Sequence, residues 1–136
     1  MIMSQAINFS GANNLYQISE ALISITNLRL RTYIGFNPEE KTKQQDVVVN
    51  AEISYRADTA ADSDDETAAF NYKDITKRMI SLVEHGRFGL LEKLTSDLLA
   101  TALESEQVSY AKIRVDKPHA LRFADSVSVT LSASRQ

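Results

Sequence analysis

DVVVNAEISYRAD is the stretch that most narrows what this chain can fold into. Val47, Val49, Ala51, Ile53 and Tyr55 alternate with Val48, Asn50, Glu52 and Ser54, and a two-residue period puts the first set on one side of a strand. A helix would scatter the same residues around its axis. One apolar face with a polar back is the mark of a sheet covered on one side, the common condition of antiparallel sheets. Upstream, ALISITNLRLRTYIG alternates too, but in two phases: Ile23 and Ile25 are odd-numbered, whereas Leu28, Leu30 and Ile34 are even. A turn or bulge near Thr26 and Asn27 would reset the face, leaving Arg29, Arg31 and Tyr33 on the other side. The intervening FNPEEKTKQQ is polar, contains a proline and is expected to be a loop between two paired antiparallel strands.

Beyond the second strand the period changes. ADTAADSDDETAA is acidic and is expected to be a solvated connector. Asn71 is a good helix cap, Asp74 sits at the third helical position, and Ile75, Met79, Ile80 and Val83 share one face. HGRFG should end that helix, with Gly86 suited to a left-handed cap. In LLEKLTSDLLATALE, Leu91, Leu94, Leu98 and Ala102 recur at three- and four-residue spacing, which predicts a second helix. VSYAKIRVDK and SVSVTLSAS alternate again. The order strand, strand, helix, helix, strand, strand predicts an α+β fold, a four-stranded antiparallel sheet with two helices on one face. Residues 1–18 are expected to form a loosely ordered N-terminal extension, and residues 19–136 a single domain.

Composition removes several function classes. With 43% apolar residues in 136, the chain has material for one packed core. Fifteen basic against 18 acidic residues leave a net charge of −3, which argues against a sequence-independent grip on nucleic acid or an anionic membrane. No run approaches the ~18 apolar residues of a membrane span, and the N-terminus does not resemble a secretory signal. The absence of cysteine excludes thiolate chemistry and Cys-ligated metals, and fits a cytoplasmic protein. Glycine-rich phosphate loops and metal-spaced histidines are missing as well. Catalysis, if present, falls to ordinary acids, bases and phenols.

Four residues qualify, each with a plain structural alternative. Lys117 continues the apolar line of Ile113 and Val115 to the strand end, where it is either a charge reaching water along its own stem or a base at a pocket. Glu92 opens the second helix, either as a carboxylate favoured by the helix dipole or as a bidentate acceptor for two adjacent N–H groups of a heterocycle. Tyr72 either packs as an amphipathic aromatic or serves as a proton-carrying phenol. Glu40 is by default a solvated loop acid.

IGFNPEE, FNYKDI, RFGLLEKLT and DKPHALRFADSVSV, in this order, resemble the dihydroneopterin aldolase and dihydroneopterin triphosphate 2'-epimerase family, over about Ile23 to Leu131. The resemblance implies the tunnelling fold, whose four-stranded sheets join into β-barrel rings, two four-membered rings stacking as a homo-octamer with sites at subunit seams. It implies a small dihydropterin substrate, no cofactor and no metal. It makes Glu92, with Leu91 beside it, the pterin-binding carboxylate, Lys117 the catalytic base, Tyr72 a phenol contributed by a neighbouring subunit, and Glu40 a carboxylate near the reacting side chain. HALRFADSVS is closest to the epimerase branch, which inverts C2' of 7,8-dihydroneopterin triphosphate. Pro38-Glu39 departs from the aldolases, which commonly carry an aromatic there. The alternatives are the aldolase, which cleaves dihydroneopterin to 6-hydroxymethyl-7,8-dihydropterin and glycolaldehyde, and a catalytically idle ring-forming protein. A triphosphate would need cationic partners, and Arg31 and Arg122 are the candidates.

Overall fold

The structure, a computed structural model, describes residues 15–136, so most of the expected N-terminal extension lies outside the described residues. Residues 15–20 lead without helix or strand into β1 (Ala21–Ile34). β1 pairs antiparallel with β2 (Gln45–Tyr55), β2 with β4 (Val108–Pro118), and β4 with β5 (Ser126–Ser134). Within β1 the register shifts between Ile25 and Leu28. Asn27 turns through φ 54°, and its amide and side chain bond the side chain of Asn50 on β2 at 2.8 and 3.2 Å. This bulge turns the odd and even apolar positions of β1 towards the same core.

Two helices cover that core face, as expected. In α3 (Tyr72–Glu84), Asn71 caps the start by accepting from Asp74 N at 3.0 Å, and Ile75, Met79 and Val83 are buried. In α4 (Leu91–Ala102), Leu94, Thr95, Leu98 and Ala102 are buried. The apolar ones meet Val47, Val49, Ala51 and Ile53 of β2 and Ile113 and Val115 of β4 in one cluster. Each large aliphatic side chain so covered contributes about 1.5–3 kcal/mol, and the pair of helices thereby leaves the ends and the far face of the sheet as places for polar chemistry.

Four details differ from the sequence expectations. The sheet has five strands, not four, in the order β3-β1-β2-β4-β5, because the two-residue β3 (Arg87–Phe88) runs parallel to Tyr33 and Ile34 at the end of β1. Gly86 is not in the left-handed region; it is required for space, since a Cβ there would lie 2.4 Å from the Phe88 ring and 2.8 Å from the Leu82 carbonyl oxygen. The loop after β1 holds a short helix, α1 (Pro38–Thr42), with no buried residue. The acidic connector holds α2 (Asp58–Ser63) and a 3-10 turn at Glu66–Ala68, where Asp65 accepts from Thr67 N. Local bonds order these polar segments: Glu40 reaches back to the Asn37 amide in α1, Asp64 ends α2 in the left-handed region, and Asp65 caps the 3-10 turn. No helix among the described residues is long and apolar enough to cross a membrane.

Candidate active site

The end of β4 places Lys117 where the sequence line predicts it. Ile113 and Val115 are fully covered, and the next residue on their side, Lys117, keeps 16% of its side chain exposed. Its ammonium donates to Glu40 Oε2 at 2.7 Å, across 77 residues of sequence. Glu40 is 21% exposed and sits in α1, the short helix that connects β1 to β2.

The Glu40 carboxylate is held by more than its ion pair. Oε1 accepts from the Asn37 amide at 3.2 Å, the reach-back of a capping box, and Oε2 also accepts from Gln45 Nε2 at 3.3 Å. Gln45 Nε2 donates in addition to the Ile34 carbonyl at 2.6 Å. Gly35 supplies the remaining space. Its φ of 128° suits glycine, and a Cβ there would fall 2.1–2.5 Å from the carboxylate of Glu40. The hydrogen bond from Lys117, then that from the Asn37 amide, hold the Glu40 carboxyl below its ordinary range against the opposing effect of burial. The result is a fixed anion against a fixed cation, both partly shielded from water.

Beside this pair lies a cavity of about 390 Å³ whose lining includes Tyr33, Phe36, Glu40, Arg87 and Gly89. The Arg87 guanidinium stands 3.9 Å from the Tyr33 ring centroid and donates to the Lys41 carbonyl at 2.9 Å, pinning α1 to the β3 edge. Two residues after Gly89, α4 begins, with Leu91 half-buried and Glu92 exposed in its first turn. Tyr72, the first residue of α3, is 47% exposed, and its side chain makes no hydrogen bond to Lys117 or Glu40. Within one chain the fold therefore joins Lys117 to Glu40 and leaves Tyr72 and Glu92 exposed at helix starts.

Of the two candidate phosphate ligands, Arg31 is tied to Asp46 at 2.5 Å and to the Gln44 carbonyl at 2.8 Å. It lines a second cavity, of about 290 Å³, together with Arg29, Asp46, Pro118 and His119. Arg122 lies in the exposed loop after β4, 5.4 Å from the Phe123 ring. Sequence reasoning missed Gln45, Arg87 and Asp116. Asp116 is bound by the Arg114 guanidinium at 2.8 and 3.1 Å and by Ser126 Oγ at 2.6 Å. Burial works against its charge, and the bonds from Ser126 and Arg114 outweigh it, so its carboxyl lies below the ordinary range. That network closes the β4–β5 hairpin next to Lys117. Its only trace in the sequence is Arg114 and Asp116 on the polar side of an alternating strand.

A family model described as FolB, dihydroneopterin aldolase, matches residues 23–132. The dihydroneopterin triphosphate 2'-epimerase of Escherichia coli K12 is 54% identical over 115 residues, covering 85% of this chain and 96% of that protein. The protein of the same name from Pseudomonas aeruginosa is 49% identical over 115 residues, covering 85% and 94%. Among solved structures, E. coli dihydroneopterin aldolase in complex with neopterin superposes with a TM-score of 0.79 at 29% identity, over 84% of this chain and 99% of that one. Sequence and overall fold both match over most of the chain, and the chain belongs to the dihydroneopterin aldolase family.

Proposed function

We propose that this protein is a 7,8-dihydroneopterin triphosphate 2'-epimerase with a capacity for retro-aldol cleavage. The observation that carries the proposal is the Lys117–Glu40 pair at the covered end of β4, in a chain 54% and 49% identical to proteins that bear the epimerase name. A 7,8-dihydropterin brings its own electron sink, because its ring C=N bond adjoins the first side-chain carbon. Lys117 takes the proton of the C2' hydroxyl, the C1'–C2' bond breaks, and its electron pair flows into the ring imine as C2' becomes an aldehyde carbon. No Schiff base is needed. If the aldehyde fragment stays, turns and is re-added on its other face, C2' is inverted. If it leaves and C1' is protonated, the outcome is aldolase cleavage, and the Tyr72 phenol is the group suited to manage that proton. Glu92 binds the pterin's amino group and adjacent ring N–H as a bidentate acceptor, with Leu91 against the ring.

Tyr72 and Glu92 are exposed in one chain, which supports a site completed at a seam between copies. The outer edge of β5 also pairs with no strand among the described residues, and native sheets cover or pair such edges. Two stacked four-membered rings would satisfy both needs. Light scattering that finds a stable monomer at micromolar concentration would exclude the shared site.

The activity test compares two substrates under identical conditions, with chromatographic separation of the products. The triphosphate should yield its 2'-epimer. Preferential cleavage of unphosphorylated dihydroneopterin without epimer formation would make the protein an aldolase, and no reaction with either would leave a pterin-binding or purely assembling ring.

A further inference from the structure

α1 carries Glu40 yet buries no side chain, so packing does not hold that carboxylate in place. Three donors do. The Asn37 amide belongs to the same short turn and moves with it, and Lys117 is the group whose proton must come and go. Gln45 is different. It is uncharged, half-buried, and anchored on the sheet at the start of β2, where it pairs in register with Thr32 of β1. Its Nε2 bridges the Ile34 carbonyl at 2.6 Å and Glu40 Oε2 at 3.3 Å, the same oxygen that Lys117 reaches. An amide cannot lose its proton in this range, so its grip on Glu40 persists whichever protonation state Lys117 is in.

We propose that Gln45 is a positioning residue: it ties the Glu40 carboxylate to the rigid sheet, so that Lys117 returns to one fixed acceptor in each catalytic cycle. The proposal rests on the epimerase reading for its catalytic consequence and on geometry alone for its structural one. Without Gln45, the turn from Asn37 to Thr42 keeps its local bonds, the Arg87 contact to the Lys41 carbonyl and the bond from Lys117, the one donor whose proton changes during the reaction. The other charged groups near the carboxylate, Lys41 and Arg87 on the cavity wall, are unchanged by its replacement. The Gln45 bond also helps to lower the Glu40 carboxyl, so its loss should move that group back towards its ordinary range.

Gln45→Met keeps length and neutrality while removing the donor, and Gln45→Asn keeps the donor but shortens its reach. Both would be studied as the full-chain protein by 13C NMR titration of the Glu40 carboxyl and by steady-state kinetics with 7,8-dihydroneopterin triphosphate. Gln45→Met should raise the Glu40 titration point, lower kcat roughly tenfold, the scale of one charge-assisted hydrogen bond, and leave KM within about twofold, while the low-pH limb of the rate profile moves up. An unchanged Glu40 titration in a folded variant would overturn the proposal, as would an unchanged kcat. Should Gln45→Met fail to fold, Gln45→Asn decides by the same two measurements. If the unmodified protein turns over neither dihydropterin, the epimerase reading fails, and the titration still decides whether Gln45 holds Glu40.

Discussion

Removing the two halves of the Lys117–Glu40 pair should have opposite rankings for stability and for turnover. Glu40→Ala leaves the Lys117 ammonium, 16% exposed, without the one acceptor it reaches among the described residues. The lost charge-assisted bond is worth about 1.5–3 kcal/mol, short of the ~3–5 kcal/mol for a fully buried pair broken on one side. Lys117→Ala leaves Glu40 with its bonds from Asn37 and Gln45, so its cost should stay near ~1 kcal/mol. For a chain of this size a kcal/mol shifts Tm by roughly 2–8 °C. Turnover should rank the other way: loss of the base costs about 10²-fold or more, some 2.7 kcal/mol of barrier. Acid adds a second check. Because the Glu40 carboxyl is lowered from its ordinary value of 4.5, its stabilisation is fully present above that value and is lost as pH falls through the lower, folded one. The stability gap between the unmodified protein and Glu40→Ala should therefore be constant near pH 7 and close in stronger acid. Urea unfolding from pH 7 to pH 3, with product chromatography at pH 7, measures both. Equal destabilisation by the two substitutions, or a gap that persists unchanged at pH 3, would refute the reasoning.

Glu92→Ala should raise the Michaelis constant far more than it lowers kcat, because a ring anchor acts in ground and transition states alike; comparable kcat losses in Glu92→Ala and Lys117→Ala would mean the roles are misassigned. Tyr72→Phe and Lys117→Ala proteins, each inactive alone, should recover part of their activity when unfolded and refolded together, and no recovery in verified mixed oligomers would place the site within one chain. If Arg31 or Arg122 meets the phosphates, its replacement by alanine should weaken the triphosphate and spare unphosphorylated dihydroneopterin, and added salt should mimic the change in the unmodified protein. Gly35→Ala should displace the Glu40 carboxylate, since a Cβ would lie 2.1–2.5 Å from it; a variant with unaltered Glu40 titration and activity would contradict that geometry.

The elements that were legible in the sequence are those set by local periodicity. The alternation of Val47 to Tyr55 marked β2, the change of phase at Thr26 and Asn27 marked the bulge in β1, and the spacing of Ile75, Met79 and Val83 marked the buried side of α3. Each follows from where neighbouring Cβ atoms point along one element. Lys117 was visible for the same reason, as a charge on an apolar line. Its partner Glu40 was named only through the family resemblance, not by any local pattern. Glu40, Gln45 and Gly35 lie 77, 72 and 82 residues before Lys117 in the chain, and no period connects them; only the sheet order, with β2 between β1 and β4, brings that loop to the end of β4. The same holds for β3, whose two residues pair with β1 while Gly86 lies against the Phe88 ring and the Leu82 carbonyl of α3. Local pattern decides which way a side chain faces, whereas the distance between two segments depends on register and packing across the whole sheet. The Lys117–Glu40 pair is a property of the second kind.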